Sequence, residues 1–316
     1  MKAEILKILK KEKDYVSGQE LCESLGVSRT AVWKAIRQLE EQGYVIEAVR
    51  NKGYRLVEEA DVLTVAELHS VLDTKWLGKE LEYYYETDST NNRARDAAEK
   101  GASHGFLAVA DCQTAGKGRR GRVWNSPHGT DIYMSFVLRP TFTPSQASML
   151  TLVAGMAVVK GVQKATGLSA MIKWPNDAVV NGKKICGILT EMSAELDCIH
   201  YVVIGIGINV NTTEFADEIK ETASSLFVET GKNIKRSRIV ALFAEEFTKY
   251  YQKFLNTGDL SGLVQDYNEM LINAGRQVRI CDAKEEFTGV AAGIDSHGEL
   301  LVTKEDGTQA VISAWW

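Results

Sequence analysis

Metal-binding and disulfide patterns are missing from this sequence of 316 residues, which contains five cysteines and five histidines. The cysteines are scattered, odd in number and form no C-x-x-C pair, and no two histidines have the H-x-x-x-H spacing. This distribution indicates reduced thiols rather than a disulfide framework. We therefore predict that the protein has no metal site.

Long apolar runs are also missing. The longest, Met149 to Val159, has eleven residues and is too short to span a bilayer. The N-terminal sequence MKAEILKILKKEK mixes lysines with acidic residues where a signal peptide would have an apolar core. We expect a soluble, cytoplasmic protein without a membrane partner.

An excess of basic residues is missing as well, since 37 Lys and Arg face 42 Asp and Glu, for a net charge of −5. Any nucleic-acid site must therefore be local. At roughly 150 residues per domain, the length indicates two or three domains. We place them at residues 1–60, 64–268 and 271–316 and predict an α+β fold.

Residues 1–60 have the pattern of a winged helix-turn-helix domain. Ser17 and Ser28 are suitable helix N-caps, and Gly26 and Gly43 are suitable helix ends. The predicted helices span 2–11, 19–25 and 29–42, followed by a predicted hairpin of segments 44–49 and 54–57. The alternative is a three-helix packing module with a solvated charged surface. The turn, the caps and the basic hairpin together favour DNA binding.

The third helix and the hairpin carry the residues that we expect to contact DNA. Val32, Ile36 and Leu39 share one helix face and should pack inward, which leaves the opposite face for a major groove. The hairpin is placed for phosphate contacts. The predicted DNA-binding residues are Ser28, Arg29, Thr30, Trp33, Lys34 and Arg37 in the helix region, and Arg50, Lys52 and Arg55 in the hairpin.

The remainder of the chain alternates predicted strands with predicted helices and then changes to short strands. The strands of the middle region are predicted at 81–85, 106–110, 133–138, 171–174, 185–192 and 201–208, and its helices at 91–100, 144–166 and 237–257. The short strands are predicted at 277–281, 286–294, 300–303 and 310–313. This last pattern indicates a small β-barrel or sandwich.

The most informative stretch is the basic loop GKGRRGR at 116–122, which places four cations among three glycines. Glycines let backbone amides approach a ligand closely, and arginines suit phosphate. A dinucleotide-binding fold would require a helix directly after these glycines, but the turn-forming sequence VWNSPHG follows. A merely solvated loop is the other alternative. We favour a phosphate-bearing ligand.

Four further clusters lie near strand ends. TDSTN at 87–91 offers small donors and acceptors before a helix, although helix capping alone would also explain it. KWPND at 173–177 ends a strand, and a proline turn is the plainer explanation. KKICGIL at 183–189 begins with lysines that could simply snorkel. The glycines of GIGINVN at 205–211 suggest close approach by a bulky group.

Taken together and in this order, these motifs resemble those of the bacterial bifunctional biotin–protein ligases that also repress the biotin operon. The match includes QTAGKGRRGRVW at 113–124 and, in the first domain, LGVSRTAVWKAI at 25–36. The resemblance implies a central mixed α/β ligase domain like that of class II aminoacyl-tRNA synthetases and an SH3-like C-terminal β-barrel. It also implies that biotin and Mg-ATP form biotinyl-5′-AMP. Biotin is then transferred to a lysine of a biotin carboxyl carrier domain.

The resemblance also implies roles for individual residues. The expected catalytic residues are Lys184, Arg119 and Asp177. The expected biotin-binding residues are Ser89, Thr90, Asn91, Gln113, Lys117, Gly118, Arg119 and Lys184, and the expected ATP- or adenylate-binding residues are Gly116, Arg119, Arg122, Trp124 and Asn209. Operator DNA and a homodimer favoured by biotinyl-5′-AMP are the implied partners. Lys117 departs from the arginine common in the family, and the tail 314–316 also departs, so we assign the tail no function.

Two other functions remain open from the sequence alone. A ligand-sensing repressor that binds biotin without chemistry would keep the winged helix but would not need Lys184 or the basic loop. A ligase for lipoate or octanoate would keep the adenylate chemistry. It would have no use for Ser89, Thr90 and Gln113, which suit the donor–acceptor ureido ring of biotin.

Overall fold

Two units make up the chain in the computed structural model, which describes residues 1–281 and 286–313. One unit comprises residues 1–73 with 235–241, and the other comprises 74–234 with 242–316. The C-terminal tail 314–316 lies outside the described residues.

The first unit contains the predicted winged helix-turn-helix. Its elements are α1 (Lys2–Lys11), α2 (Gly18–Leu25), α3 (Arg29–Glu41), β1 (Val45–Val49), β2 (Gly53–Glu58) and α4 (Val65–Val71). Ser17 caps α2 by accepting from the Glu20 amide at 3.0 Å, and Ser28 caps α3 by accepting from the Ala31 amide at 3.3 Å. The strands β1 and β2 pair antiparallel as the wing. The sequence analysis missed only α4, which has two turns.

Helix α4 is fixed by a buried carboxylate. Glu67 is 0% exposed, and its oxygens accept from Lys10 Nζ at 2.7 Å, from Ser237 Oγ at 2.7 Å and from the Tyr44 hydroxyl. Burial and the neighbouring Glu67 raise the pKa of Tyr44, so this hydroxyl remains a donor. A buried charge is tolerated when it is paired and hydrogen-bonded in this way.

The second unit is built on a seven-stranded mixed sheet. Its strands are β3 (Leu81–Tyr84), β4 (Leu107–Ala110), β5 (Ile132–Leu138), β6 (Met171–Lys173), β7 (Asp177–Val180), β8 (Lys183–Ala194) and β9 (Ile199–Ile208). The strand order is β3-β4-β5-β9-β8-β7-β6, in which only β3 and β4 pair in parallel. The helices are α5 (Thr90–Glu99), α6 (Pro144–Ala147), α7 (Met149–Thr166), α8 (Leu226–Thr230), α9 (Arg236–Thr257) and α10 (Val264–Met270), of which the start of α9, up to residue 241, is counted with the first unit.

The helix predicted over 144–166 is divided at Ser148, which keeps helical angles between α6 and α7. Within the described residues, this is the one helical stretch long and apolar enough to cross a membrane. Of the apolar part of this stretch, 72% is buried inside the protein. It therefore has the character of a core helix, and the eleven-residue run of the sequence analysis is its centre.

The C-terminal segment forms a four-stranded antiparallel sheet in chain order. Its strands are β10 (Gln277–Cys281), β11 (Glu286–Ile294), β12 (Leu300–Lys304) and β13 (Gln309–Ile312). The first two have the predicted bounds, β12 extends one residue further than predicted, and β13 is shifted by one residue at both ends. The sheet agrees with the small β-domain expected from the sequence.

Candidate functional site

The floor of the site is a stretch of sheet without side chains. Gly187 of β8 lies opposite Gly207 of β9, and Gly205 lies two residues before Gly207 on the same strand. A Cβ on Gly205 would overlap the Asn91 amide, and a Cβ on Gly207 would lie 2.6 Å from the Trp124 ring. The glycines therefore let these two side chains lie directly on the backbone.

A wall of neutral polar groups stands beside this floor, at the start of α5. Gln113 Oε1 accepts from the Thr90 amide at 2.8 Å, and Gln113 Nε2 donates to Ser126 Oγ at 2.9 Å. Ser89 is the N-cap residue of α5, yet its side chain makes no capping hydrogen bond. Capping therefore does not account for this serine, which lines the cleft with Thr90.

A second layer of buried polar groups holds the wall in place. Ser135 is 0% exposed, and its Oγ lies 2.7 Å from Thr90 Oγ1 and 2.6 Å from Asn91 Oδ1. Asn91 Nδ2 donates to Glu191 Oε2 at 2.6 Å. The sequence analysis missed Ser135 and Glu191, because each lies inside an ordinary strand and its partners are far away in the chain.

The basic loop folds as a hairpin rather than as the turn before a helix. The Gly118 amide donates to the Arg122 carbonyl at 2.7 Å, and the Trp124 amide donates to the Gly116 carbonyl at 2.9 Å. A single 3-10 turn, Arg119–Gly121, occupies the tip. A Cβ on Gly116 would overlap the Trp124 carbonyl, so this glycine is required by close approach. The hairpin agrees with the rejection of a dinucleotide fold.

The cations of the loop and of β8 have identifiable partners. Lys117 Nζ donates to Asn92 at 2.6 Å, and Arg119 Nη1 donates to Asn176 at 3.2 Å. Burial, with Arg120 nearby, lowers the pKa of Arg119, although its guanidinium remains charged. A ligand that carries negative charge would offset this unfavourable burial.

Lys184 is paired with Asp177 across neighbouring strands. The ammonium of Lys184 lies 2.7 Å from Asp177 Oδ1 and 5.4 Å from the centre of the Trp124 ring. The Lys184 side chain is 35% exposed, and its Nζ would lie 3.3 Å from a Cβ on Gly187, so the ammonium is directed over the bare sheet rather than out into solvent. The Trp124 ring and the Lys184 ammonium therefore lie side by side over these glycines.

The structure brings most of the predicted ligand-binding residues to one cleft and its neighbour. Residues that line the first cavity include Ser89, Thr90, Asn91, Gln113, Lys117, Gly118, Arg119, Trp124 and Lys184. Residues that line the adjoining cavity include Arg119, Arg122, Trp124, Asp177, Lys184 and Asn209. Gly116 is buried in the hairpin, and the Asn209 amide donates to the Ser224 carbonyl at 3.0 Å.

The predicted DNA-binding residues lie on one exposed face of α3 and on the wing. Ser28, Arg29, Thr30, Trp33, Lys34, Arg37, Arg50 and Lys52 are exposed, whereas Arg55 is half-buried. Arg55 forms an ion pair with Glu47 at 2.7 Å, and Arg37 forms one with Glu40 at 3.0 Å. Lys34 and the large Trp33 ring are thus presented on the helix face opposite the buried core.

Three family models match successive parts of the chain. Residues 2–55 match an HTH domain, residues 83–209 match the biotin/lipoate A/B protein ligase family, and residues 274–314 match the biotin protein ligase C-terminal domain. Together these matches define a biotin–protein ligase joined to a DNA-binding domain.

Comparison with whole proteins identifies the family. The chain is 41% identical to the bifunctional ligase/repressor BirA of Bacillus subtilis, over 95% of this chain and 93% of that protein. The corresponding Escherichia coli protein is 30% identical, over 96% and 91%. A biotin protein ligase from Aquifex aeolicus, solved with biotin and ATP, has a TM-score of 0.65 and 31% identity, covering 74% of this chain and 95% of that one. The chain belongs to the family of bifunctional biotin ligase/repressors.

The bare floor of the cleft can be tested by adding a single methyl group. Gly205→Ala should lower the free energy of unfolding by roughly 1–3 kcal/mol, because its Cβ overlaps the Asn91 amide. Gly155→Ala, within α7, is the matched control, since the new Cβ would be in ordinary van der Waals contact with Ile188 at 3.8 Å. The control should be neutral or stabilising by up to about 1 kcal/mol. Urea denaturation measures both, and equal behaviour of the two variants would contradict this account of the floor.

Proposed function

We propose that this chain forms biotinyl-5′-AMP at the cleft over Gly205 and Gly207 and then transfers biotin to a lysine of a biotin carboxyl carrier domain. The observation that carries the proposal is that one cleft has a wall of neutral polar groups and also two cations, Lys184 and Arg119. Biotin has a neutral polar head and a carboxylate tail, so it needs both. The ligase domain would be residues 64–268, flanked by the domains 1–60 and 271–316.

In the first step, a biotin carboxylate oxygen attacks the α-phosphorus of Mg-ATP, and pyrophosphate leaves. Lys184 would hold the carboxylate and the α-phosphate together and stabilise the charge that develops between them. Its present partner, Asp177, lies 2.7 Å away and would orient the ammonium or the accompanying magnesium. Arg119 would contact phosphate beside it.

In the second step, the neutral amine of the acceptor lysine attacks the acyl carbon of the mixed anhydride. An amide bond forms, AMP leaves with the bonding electrons, and the attacking nitrogen loses a proton. Closure of the basic hairpin over the anhydride would exclude water and protect it from hydrolysis. Gly116 shapes the hairpin, Arg122 would contact phosphate, and Trp124 and Asn209 would hold the adenine.

The polar wall would recognise the ureido ring. Gln113 Oε1 accepts from both the amide and the hydroxyl of Thr90, and its Nε2 donates to Ser126, so one amide hydrogen remains that can be donated to a ligand. Ser89 has a hydroxyl that caps no helix. The Asn91 amide is engaged by Ser135 and Glu191, so its contribution is to support the wall. Lys117 and Gly118 would close the cleft from the hairpin.

Replacing Lys184 by alanine should reduce biotin-dependent pyrophosphate release by about 10²–10³-fold, because charge stabilisation in the transition state is lost. The matched control is Lys183→Ala, since successive side chains on β8 point to opposite faces of the sheet. The assay measures pyrophosphate with biotin, lipoate and octanoate in separate reactions. Near wild-type release by the Lys184 variant would overturn its role, and release with lipoate or octanoate alone would overturn the substrate.

We also propose that the first domain binds operator DNA and represses genes of biotin supply, so that the protein acts in the cytoplasm with its ATP, DNA and carboxylase substrates. The exposed face of α3 would enter the major groove, and the wing would contact phosphates. Lys34 on this face should add one ionic contact.

Lys34→Ala should weaken DNA binding and reduce the slope of log affinity against log salt by about 1. Lys7→Ala removes the same charge from the exposed surface of α1 and is the control. Fluorescence anisotropy with promoter DNA over a salt series measures the slope, and ligase activity should be unchanged in both variants. Identical slopes for the two variants would exclude Lys34 from the interface.

We further propose that biotinyl-5′-AMP favours a homodimer, which would place two winged helices on a palindromic operator. The adenylate would neutralise part of the hairpin charge of Lys117, Arg119, Arg120 and Arg122 and so favour one hairpin conformation. Linkage requires that DNA and dimerisation strengthen adenylate binding by the same factor. Sedimentation velocity should therefore detect dimer at lower protein concentration with biotinyl-5′-AMP than without it. Equal dimerisation in both conditions would refute this coupling.

A further inference from the structure

Three side chains that suit a soft divalent metal meet at the surface, from segments that adjoin the polar wall in sequence. They are Glu86, Cys112 and His128, and their ligand atoms all lie within 4.8 Å of one another. His128 Nε2 is 3.4 Å from Glu86 Oε2. No spacing pattern reveals this set, because the three residues come from different segments of the chain. A surface ion pair between His128 and Glu86 would account for two of the three side chains, but not for the thiol.

The backbone around these residues is held by hydrogen bonds. The Thr87 amide donates to the Cys112 carbonyl at 3.2 Å, and the Gly129 amide donates to the Asp111 carbonyl at 3.3 Å. The Tyr85 ring lies against the His128 ring, with 4.6 Å between their centres. The three ligand-bearing segments are thus already assembled, so little ordering would be needed to bind an ion.

The electrostatic environment also favours a cation. The Glu86 carboxylate supplies negative charge at the site, and Asp111, which directly precedes Cys112 in the chain, carries a second carboxylate. A divalent ion bound here would be attracted by this negative charge, and its bond to sulfur would release the thiol proton.

We propose that Cys112, His128 and Glu86 form a binding site for a soft divalent transition metal, of which Zn²⁺ fits best. Thiolate sulfur, imidazole nitrogen and carboxylate oxygen are all zinc ligands, and three of them leave a fourth tetrahedral position for water. Glu86 directly precedes the 87–91 segment, and Cys112 directly precedes Gln113. A bound ion would therefore cross-link the two segments that carry the residues of the polar wall.

Cobalt titration of the full chain without nucleotide tests the site, because a Co²⁺–thiolate bond produces a charge-transfer absorption band that identifies a cysteine ligand. One equivalent of Co²⁺ should generate the band, and Zn²⁺ should abolish it by displacement. Cys112→Ser should eliminate the band, and His128→Gln should weaken cobalt binding at least tenfold. Thermal unfolding without metal checks that both variants remain folded.

Cys198→Ser is the matched control. Cys198 is exposed near another histidine–glutamate pair, His200 and Glu195, whose atoms lie 3.3 Å apart. This variant should bind one equivalent of Co²⁺ with the wild-type band. A band that persists in Cys112→Ser, or one that disappears in Cys198→Ser, would overturn the assignment, as would the absence of a band from the wild-type protein. The outcome is independent of biotin chemistry.

Discussion

The site depends on the absence of three β-carbons from the centre of the sheet. Gly187, Gly205 and Gly207 leave the backbone of β8 and β9 bare, and the Asn91 amide and the Trp124 ring occupy the space that side chains would fill. Asn91 fixes the start of α5, and Trp124 fixes the end of the basic hairpin. Both sides of the cleft therefore pack against the same stretch of backbone. A methyl group at any of these glycines would displace either Asn91 or Trp124.

Positive charge is concentrated at the cleft. The chain is acidic overall, yet Lys117, Arg119 and Lys184 converge on one cleft. Lys117 donates to Asn92, Arg119 donates to Asn176, and Lys184 is paired with Asp177. Hydrogen bonds from these cations to a phosphate would be charge-assisted and therefore stronger than their bonds to neutral amides. The hairpin thus positions its cations where a phosphate-bearing ligand would meet them.

Local patterns predicted much of the fold, and non-local contacts account for what they missed. The caps at Ser17 and Ser28 located the helices of the first unit, because a cap depends only on neighbouring residues. Strand β7 was missed since four residues after a proline show no periodicity. Helix α4 was missed since its stability comes from Glu67, whose partners Lys10 and Ser237 are remote in sequence. The candidate site followed from motif resemblance, whereas its supporting layer followed only from the structure.

Substrate selection can be understood from the cost of unsatisfied hydrogen bonds. Ser89 and Thr90 are 2% and 3% exposed, so the polar wall is almost withdrawn from water before a ligand enters, and the Thr90 hydroxyl is already bonded to Gln113 and Ser135. An apolar dithiolane ring or alkyl chain would offer no partner to the Ser89 hydroxyl or to the remaining amide hydrogen of Gln113, and each buried donor or acceptor left unpaired costs about 1–3 kcal/mol. A ureido ring supplies both donors and acceptors. In the proposed function, two such groups would be enough for discrimination against lipoate and octanoate, even though all three acids would offer Lys184 the same carboxylate.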